Sequence, residues 1–193
     1  MSADYGPYPD HFLVPDTTSP EHRMMMVEEL IRYGARDPVV IDYARRVVAA
    51  NPANPLQALL DGMHARVTYY PDCGDGNCED IQRPAYTLFG IGRGDCEDMS
   101  MAFAAMARAM GYTARAVWLP QPGANNHVPA QICGTPPHTI THATQVIPPE
   151  NGPACGSPNE WVWVETTLPG ARVGEHPYEA AGRLGVIRRD LPR

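Results

Sequence analysis

One cysteine stands where a thiol nucleophile could be activated. Cys96 follows Gly94 and Asp95 and directly precedes the most helical stretch of the chain, so we expect it in the first turn of a helix. There, unpaired backbone N–H groups and the positive end of the helix dipole stabilise a thiolate and lower the pKa of the thiol. The charges of Asp95, Glu97 and Asp98 oppose this effect, so a nucleophile at this position needs a cationic partner. Without such a partner, a cysteine at a helix start is commonly inert.

A histidine and an acid that could complete such a site follow on segments with strand character. Of the seven histidines, His142 is the one we expect as general base, because it lies in the strand-like run from Thr139 to Ile147. Glu165 ends the alternating run that begins at Trp161, which would place its carboxylate beside the imidazole and let it orient the ring. An exposed glutamate at a strand end is the alternative interpretation of Glu165.

The segments around these residues have distinct periodicities. Four helices are predicted, one from about Cys96 to Met110 and three that begin at a small polar residue followed by proline, at Ser19-Pro20, Asp37-Pro38 and Asn54-Pro55. Three segments rich in β-branched or aromatic residues predict an antiparallel sheet: 112–119, 139–147 and 160–167. Helices followed by strands indicate an α+β fold, in which the nucleophile helix packs on the sheet under an N-terminal helical layer.

The length of 193 residues predicts a single domain. We expect this domain over residues 19–184, an N-terminal arm over 1–18 and a C-terminal tail over 185–193. Pro-rich loops are expected to flank the site at 121–137 and 148–159. The predicted core consists of Met99, Phe103, Met106, Val40, Val47, Leu59, Leu60 and Met63.

The five cysteines divide into Cys96 and four in predicted loops, which are Cys73, Cys78, Cys133 and Cys155. The four could be reduced thiols, form two disulfides, or hold one structural zinc ion as an all-thiolate site. The spacing of Cys73 and Cys78 does not decide between these alternatives. We expect the chemistry at Cys96 itself to require no cofactor.

Composition excludes several classes of function. A net charge of −7 disfavours a nucleic-acid partner, since such proteins carry positive charge to match phosphates. No apolar run is long enough for a membrane span, and the first residues lack the features of a signal peptide. The chain contains no lysine, so it cannot cross-link its own copies through glutamine–lysine isopeptides.

Taken together, these motifs resemble the transglutaminase-like superfamily of papain-fold cysteine enzymes. The similarity is carried by Gly94-Asp95-Cys96-Glu97-Asp98 with its Ala/Met-rich helix, by Gly111-Tyr112-Thr113-Ala114-Arg115, by a histidine at a strand and by the run 161–167. It is closest to versions carried by bacteriophages and prophages. The resemblance implies Cys96 as nucleophile, His142 as general base and Glu165 as orienting acid. Aspartate is commoner at the acid position, so Glu165 is a departure.

The resemblance implies acyl-enzyme chemistry on amide bonds, as a peptidase, amidase, deamidase or transglutaminase. The expected partner is then a protein or peptide substrate. The alternative is a non-catalytic phage virion or assembly protein that retains the fold and binds phage structural proteins. The expected location is the bacterial cytoplasm, or the virion for a phage-encoded protein.

Overall fold

The computed structural model describes residues 9–15, 17–72, 78–120, 126–134, 146–155 and 161–185. The described residues form five α-helices: α1 (Pro20–Gly34), α2 (Pro38–Ala50), α3 (Pro55–His64), α4 (Cys96–Ala109) and α5 (Pro177–Leu184). They also form seven strands: β1 (His11–Pro15), β2 (Thr68–Tyr69), β3 (Cys78–Gln82), β4 (Arg93–Gly94), β5 (Ala114–Ala116), β6 (Ala130–Cys133) and β7 (Trp161–Val164).

The four predicted helices are confirmed, and each begins where the sequence predicted it. Ser19 accepts a hydrogen bond from the His22 backbone N–H at the start of α1, and Asp37 accepts one from Val39 N–H at the start of α2. Proline occupies the first position of α1, α2 and α3, where a missing N–H costs no intrahelical hydrogen bond. The polar residue followed by proline is therefore the local signal that starts each helix of the N-terminal layer.

Helix α4 lies at the centre of the core. Nine of its consecutive residues, from 99 to 107, are at most 1% exposed, so the helix is covered on every side. The predicted core residues are buried around it, except that Val47 is only partly buried. Alanine occupies four of those nine positions, which lets neighbouring elements approach the helix axis closely.

A buried ion pair fastens α1 to the far end of α4. Arg108 donates two hydrogen bonds of 2.7 Å to the carboxylate of Glu28, which is 1% exposed. The Nε–H of Arg108 donates to the Ala114 carbonyl at 2.7 Å, which brings β5 to the same point. Through these hydrogen bonds, Arg108 fixes the positions of α1 and β5 relative to α4.

The sheet on α4 is antiparallel and has the order β5-β6-β7. The α+β prediction is thus confirmed, but the prediction of a loop throughout 121–137 was wrong. Strand β6 lies inside 121–137, which was predicted to be a loop. Three of its four residues are buried, so the strand lacks the polar alternation that marks a half-exposed strand. Of the predicted strand 139–147, only residues 146 and 147 are described, and Ile147 pairs with Trp118.

Part of the expected N-terminal arm joins the fold. Residues 11–15 form β1, which pairs antiparallel with β3, and Val14 is buried in the core. The prediction of an arm over 1–18 therefore missed a strand, because five residues with one proline carry a weak strand signal. No helix among the described residues is long and apolar enough to cross a membrane.

In the part of the chain that the structure describes, one pair of the loop cysteines is bonded. Cys133 at the end of β6 and Cys155 form a disulfide with a Cα–Cα distance of 5.3 Å. Because a bonded sulfur is no longer a thiolate ligand, the zinc alternative applies only to a reduced protein. Cys73 lies outside the described residues, and Cys78 begins β3.

Removing this disulfide is expected to destabilise the domain. It closes a loop with a sequence separation of 22, for which chain entropy predicts a loss of about 3 kcal/mol. Cys133→Ser should therefore lower Tm by roughly 6–12 °C under non-reducing conditions. Cys155→Ser should match it, and the double variant should be no less stable than either. A single variant with the wild-type Tm would contradict a bond between these two sulfurs.

Candidate active site

A tight turn delivers Cys96 to the start of α4. Gly92 has a φ of +67°, a left-handed conformation that glycine adopts at little cost, and β4 then pairs in parallel with β2. A Cβ atom on Gly94 would lie 2.6 Å from the Cβ of Asp98, so a larger residue there would displace Asp98. Asp95 and Asp98 form a reciprocal capping box across this turn. The prediction that Cys96 opens the helix is confirmed.

The Cys96 thiol is half-buried between its own helix and the chain at Val128. Its sulfur lies 3.4 Å from Glu97 Oε2, and the backbone N–H of Val128 donates to it. Burial raises the pKa of the thiol well above its ordinary value, and the negative charge of Asp95 raises it further. The resting cysteine is thus a neutral thiol, and a base must remove its proton when it attacks.

A buried histidine, the residue before Val128, forms a polar pair with Glu165. The Nε2 of His127 lies 2.8 Å from Glu165 Oε2, and the two residues are 1% and 0% exposed. If Glu165 is ionised, its carboxylate only accepts hydrogen bonds, and Nε2 then carries the proton and donates it. Nδ1 of His127 is then the ring nitrogen that can accept a proton from a thiol.

Strand register explains why a glutamate reaches His127. The β5–β6 pairing continues without an inserted residue to Leu119 and His127, which exchange both backbone hydrogen bonds. Ala130 pairs with Val164, so continuing that register by one residue places Pro129 opposite Glu165. His127 is then the diagonal neighbour of Glu165, roughly 7–8 Å away between backbones. The additional methylene of glutamate relative to aspartate spans this diagonal.

Hydrogen bonds fix each residue of the segment 165–167, which follows β7. Glu165 Oε1 accepts hydrogen bonds from the backbone N–H and the hydroxyl of Thr167, at 2.7 and 2.6 Å. The Thr166 carbonyl accepts a hydrogen bond of 2.7 Å from Nε2 of His64 at the end of α3. The Thr166 hydroxyl lies 2.7 Å from the hydroxyl of Ser100 on α4. Both oxygens of the Glu165 carboxylate are therefore engaged and its backbone is anchored.

Acidic side chains crowd the other side of the thiol. Burial is the main cause that raises the pKa values of Asp95, Glu97 and Asp98. The charge of Asp95 raises the pKa values of Glu97 and Asp98 further, whereas hydrogen bonds with Glu97 lower the pKa of Asp95. Burial likewise raises the pKa of Asp72 to about 7. Among the described residues, the ligand atoms of Asp95, Cys96 and Glu97, and those of Asp72, Asp95 and Asp98, lie within 4.8 Å of one another. These are the described groups close enough together to hold a metal ion, although carboxyl groups with raised pKa values can instead retain protons.

The predicted site residues have different outcomes. Cys96 is the first residue of α4. Glu165 is buried and hydrogen-bonded to His127, so the alternative of an exposed glutamate is wrong. His142 lies outside the described residues, so its role as base stays a prediction from the sequence pattern. His127 was missed because it lies in a segment predicted to be a loop. The order of cysteine, histidine and acid along the chain is satisfied by either histidine, so order alone could not have found it.

Comparison with known proteins identifies the family. The model of the transglutaminase-like superfamily matches residues 41–172, which is more than half of the chain. The protein therefore belongs to this superfamily, and its α+β architecture agrees with that membership. Searches of curated proteins and of solved structures found no match.

The raised pKa of Asp72 predicts a pH-dependent loss of stability. A carboxyl group whose pKa rises on folding, from about 3.8 to about 7, keeps its proton better in the folded state. Its contribution to the free energy of unfolding is therefore complete below pH 4 and declines as the pH rises to about 7. Asp72→Asn should reduce this decline, measured by urea unfolding between pH 4 and 8.

Asp42→Asn is the matched control, because the Asp42 side chain is 67% exposed on α2. It should leave the pH dependence of unfolding as in the wild type. The buried carboxyl groups of Asp95, Glu97 and Asp98 remain in both variants, so part of the decline should persist. Parallel stability curves for Asp72→Asn and the wild type would contradict the assignment.

A pair of alanine variants identifies the base. If His127 serves Cys96, then His127→Ala should slow alkylation of Cys96 by iodoacetamide at pH 7 by about 10²-fold or more, within the usual contribution of a general base. His142→Ala should then alkylate at the wild-type rate. Peptide mapping by mass spectrometry must follow Cys96 alone. The reverse pattern would assign the base to His142, as the sequence pattern predicts.

Proposed function

We propose that this protein is a cysteine-dependent acyl-transfer enzyme that acts on amide bonds, with Cys96 as nucleophile, His127 as general base and Glu165 as orienting acid. The observation that carries the proposal is the buried hydrogen bond between His127 and Glu165, one residue before the Val128 N–H that donates to the thiol at the start of α4. The superfamily match supports cysteine acyl chemistry in general, and the choice of His127 rests on the geometry.

The proposed reaction has two balanced stages. In the first, Cys96 Sγ bonds to the amide carbonyl carbon while its proton passes to Nδ1 of His127, and the carbon–nitrogen bond then breaks as the imidazolium returns that proton to the leaving amine. In the second, water or another amine gives a proton to His127 and attacks the thioester, and the proton returns to Cys96 as the thiol leaves. Glu165 stabilises the imidazolium in both stages without exchanging a proton.

The raised pKa of Cys96 defines what His127 must do. A thiol that stays neutral at rest cannot rely on a preformed thiolate, so attack needs proton transfer to the base in the same step. The backbone N–H of Val128, which donates to the sulfur, stabilises the thiolate as it forms. Cys96 thus becomes a thiolate only when a substrate is bound, and does not carry a permanent negative charge.

The outcome of the second stage distinguishes hydrolysis from transfer. The chain has no lysine, so any glutamine–lysine cross-link must use an ε-amine of a partner protein. We propose a protein or peptide as the acyl donor, because the sequence resemblance implies chemistry on amide bonds. Peptidase, amidase, deamidase and transglutaminase activities share the same acyl-enzyme.

The second candidate function is a structural role. The specific observation in its favour is the strongly raised pKa of Cys96, caused by burial and by Asp95, which suits an unreactive thiol. In that case the protein would be a virion or assembly protein that binds phage structural proteins and retains the fold. The association with phages rests on the sequence resemblance alone, and so do the proposed locations in the bacterial cytoplasm or the virion.

An acyl donor that needs no knowledge of the substrate tests the enzyme. With p-nitrophenyl acetate as the probe, folded wild-type protein should be acetylated at Cys96 faster than the same thiol in the chain unfolded by urea. Cys96→Ser should abolish acetylation at this position. Glu165→Gln should reduce the rate roughly 10- to 10²-fold, because the ring of His127 loses its orientation and the stabilisation of its positive charge.

Glu165→Asp is the informative companion variant. It keeps the carboxylate but shortens the side chain, so it should be slowed as well if the diagonal distance to His127 matters. Cys96 acetylation in the folded wild-type protein that is no faster than in urea would reject the enzyme and favour the structural candidate.

A further inference from the structure

One residue of α4 touches both of the segments that carry the other candidate catalytic residues. Ser100 lies one helical turn beyond Cys96, so both side chains are on the same face of α4. Its hydroxyl oxygen lies 2.6 Å from the carbonyl oxygen of Val128 and 2.7 Å from the hydroxyl oxygen of Thr166. Ser100 and Thr166 are both 0% exposed, so water does not compete for these hydrogen bonds.

The direction of the hydrogen bonds follows from the chemistry of the groups. A carbonyl oxygen only accepts, so the single proton of Ser100 goes to Val128. Thr166 must then donate its hydroxyl proton to Ser100. The result is a chain of hydrogen bonds from Thr166 through Ser100 to Val128, in which each bond polarises the next.

The two ends of this chain adjoin the candidate catalytic groups. Val128 follows His127, and the N–H of Val128 donates to Cys96 while its carbonyl accepts from Ser100. Val128 is thus hydrogen-bonded to α4 at both Cys96 and Ser100, which are one helical turn apart. Thr166 follows Glu165, and its carbonyl is fixed from the other side by His64. Each of the two hydrogen-bond partners of Ser100 is therefore adjacent in sequence to a candidate catalytic residue.

We propose that Ser100 is a positioning residue that sets the placement of His127 and Glu165 relative to Cys96. This inference rests on the proposed function. Ser100 touches neither the reacting atoms nor the imidazole. It acts by fixing the peptide after the base and the side chain after the acid on the same turn of the helix that carries the nucleophile. A shift of about 1 Å in such an arrangement can cost about 10²-fold in rate.

Loss of the hydroxyl should affect reactivity more than folding. Ser100→Ala is expected to slow Cys96 alkylation by iodoacetamide at pH 7 about 10-fold or more and to bring its pH profile close to that of His127→Ala. Thr166→Val keeps the shape of the side chain but removes its proton, and should also slow the reaction. Thr166→Ser keeps the hydroxyl and should retain most of the wild-type rate. The slowing in the double variant Ser100→Ala, Thr166→Val should be smaller than the product of the two single effects.

A matched control separates positioning from general stability. Tyr43→Phe removes another buried hydroxyl, which donates to the Gly62 carbonyl at 2.8 Å between α2 and α3. It should lower Tm but leave the rate and pH profile of alkylation unchanged. Tm is measured for every variant, because a merely structural role for Ser100 would lower Tm in the same way without changing the profile.

The outcomes distinguish this inference from the proposed function. A wild-type rate that depends on His127 but is unchanged in Ser100→Ala overturns the inference alone. If Ser100→Ala does not fold, equal rates for Thr166→Val and Thr166→Ser overturn it, and a slow Thr166→Val beside a fast Thr166→Ser supports it. A wild-type rate equal to that of His127→Ala overturns the proposed function and this inference with it.

Discussion

The attachment of the sheet to the first turns of α4 is the contact on which the candidate site depends. Cys96 belongs to a helix, whereas His127 and Glu165 follow the course of two strands. Contacts between residues that are close in sequence cannot set the position of Cys96 relative to His127 and Glu165. Their relative position is set by the buried hydrogen bonds that join Ser100 of α4 to Val128 and Thr166. The alanine-rich surface of α4 permits this approach, and the Glu28–Arg108 pair fixes the other end of the helix.

The candidate site balances two opposed electrostatic effects. Backbone N–H groups at the start of α4 and at Val128 favour a thiolate, while burial and the carboxylate of Asp95 disfavour it. The same burial raises the pKa values of Asp95, Glu97 and Asp98. The raised pKa of Cys96 favours a neutral thiol at rest. A substrate would then promote charge separation by providing the carbonyl that the sulfur attacks.

Much of the fold could be predicted from local patterns, and part of the site could not. The helix starts at Ser19, Asp37 and Asp95 are marked by caps within a few residues, and the alternation from Trp161 marks β7. Strand β6 carries no such mark, because it is buried on both faces and follows a proline. His127 precedes this strand in the same segment, so it was not predicted as a candidate base. The contacts of Ser100 join positions 28 and 66 residues apart in sequence, and no local period records such a distance.

The tautomer of His127 tests the central claim most directly. Long-range proton–nitrogen NMR correlations distinguish the two nitrogens of a histidine ring, and His127→Gln identifies its signals. The proposed arrangement predicts a neutral ring with the proton on Nε2, whose resonance moves when Glu165 is replaced by Gln. A neutral ring with the proton on Nδ1 would contradict it, because that nitrogen could then not accept the proton of Cys96.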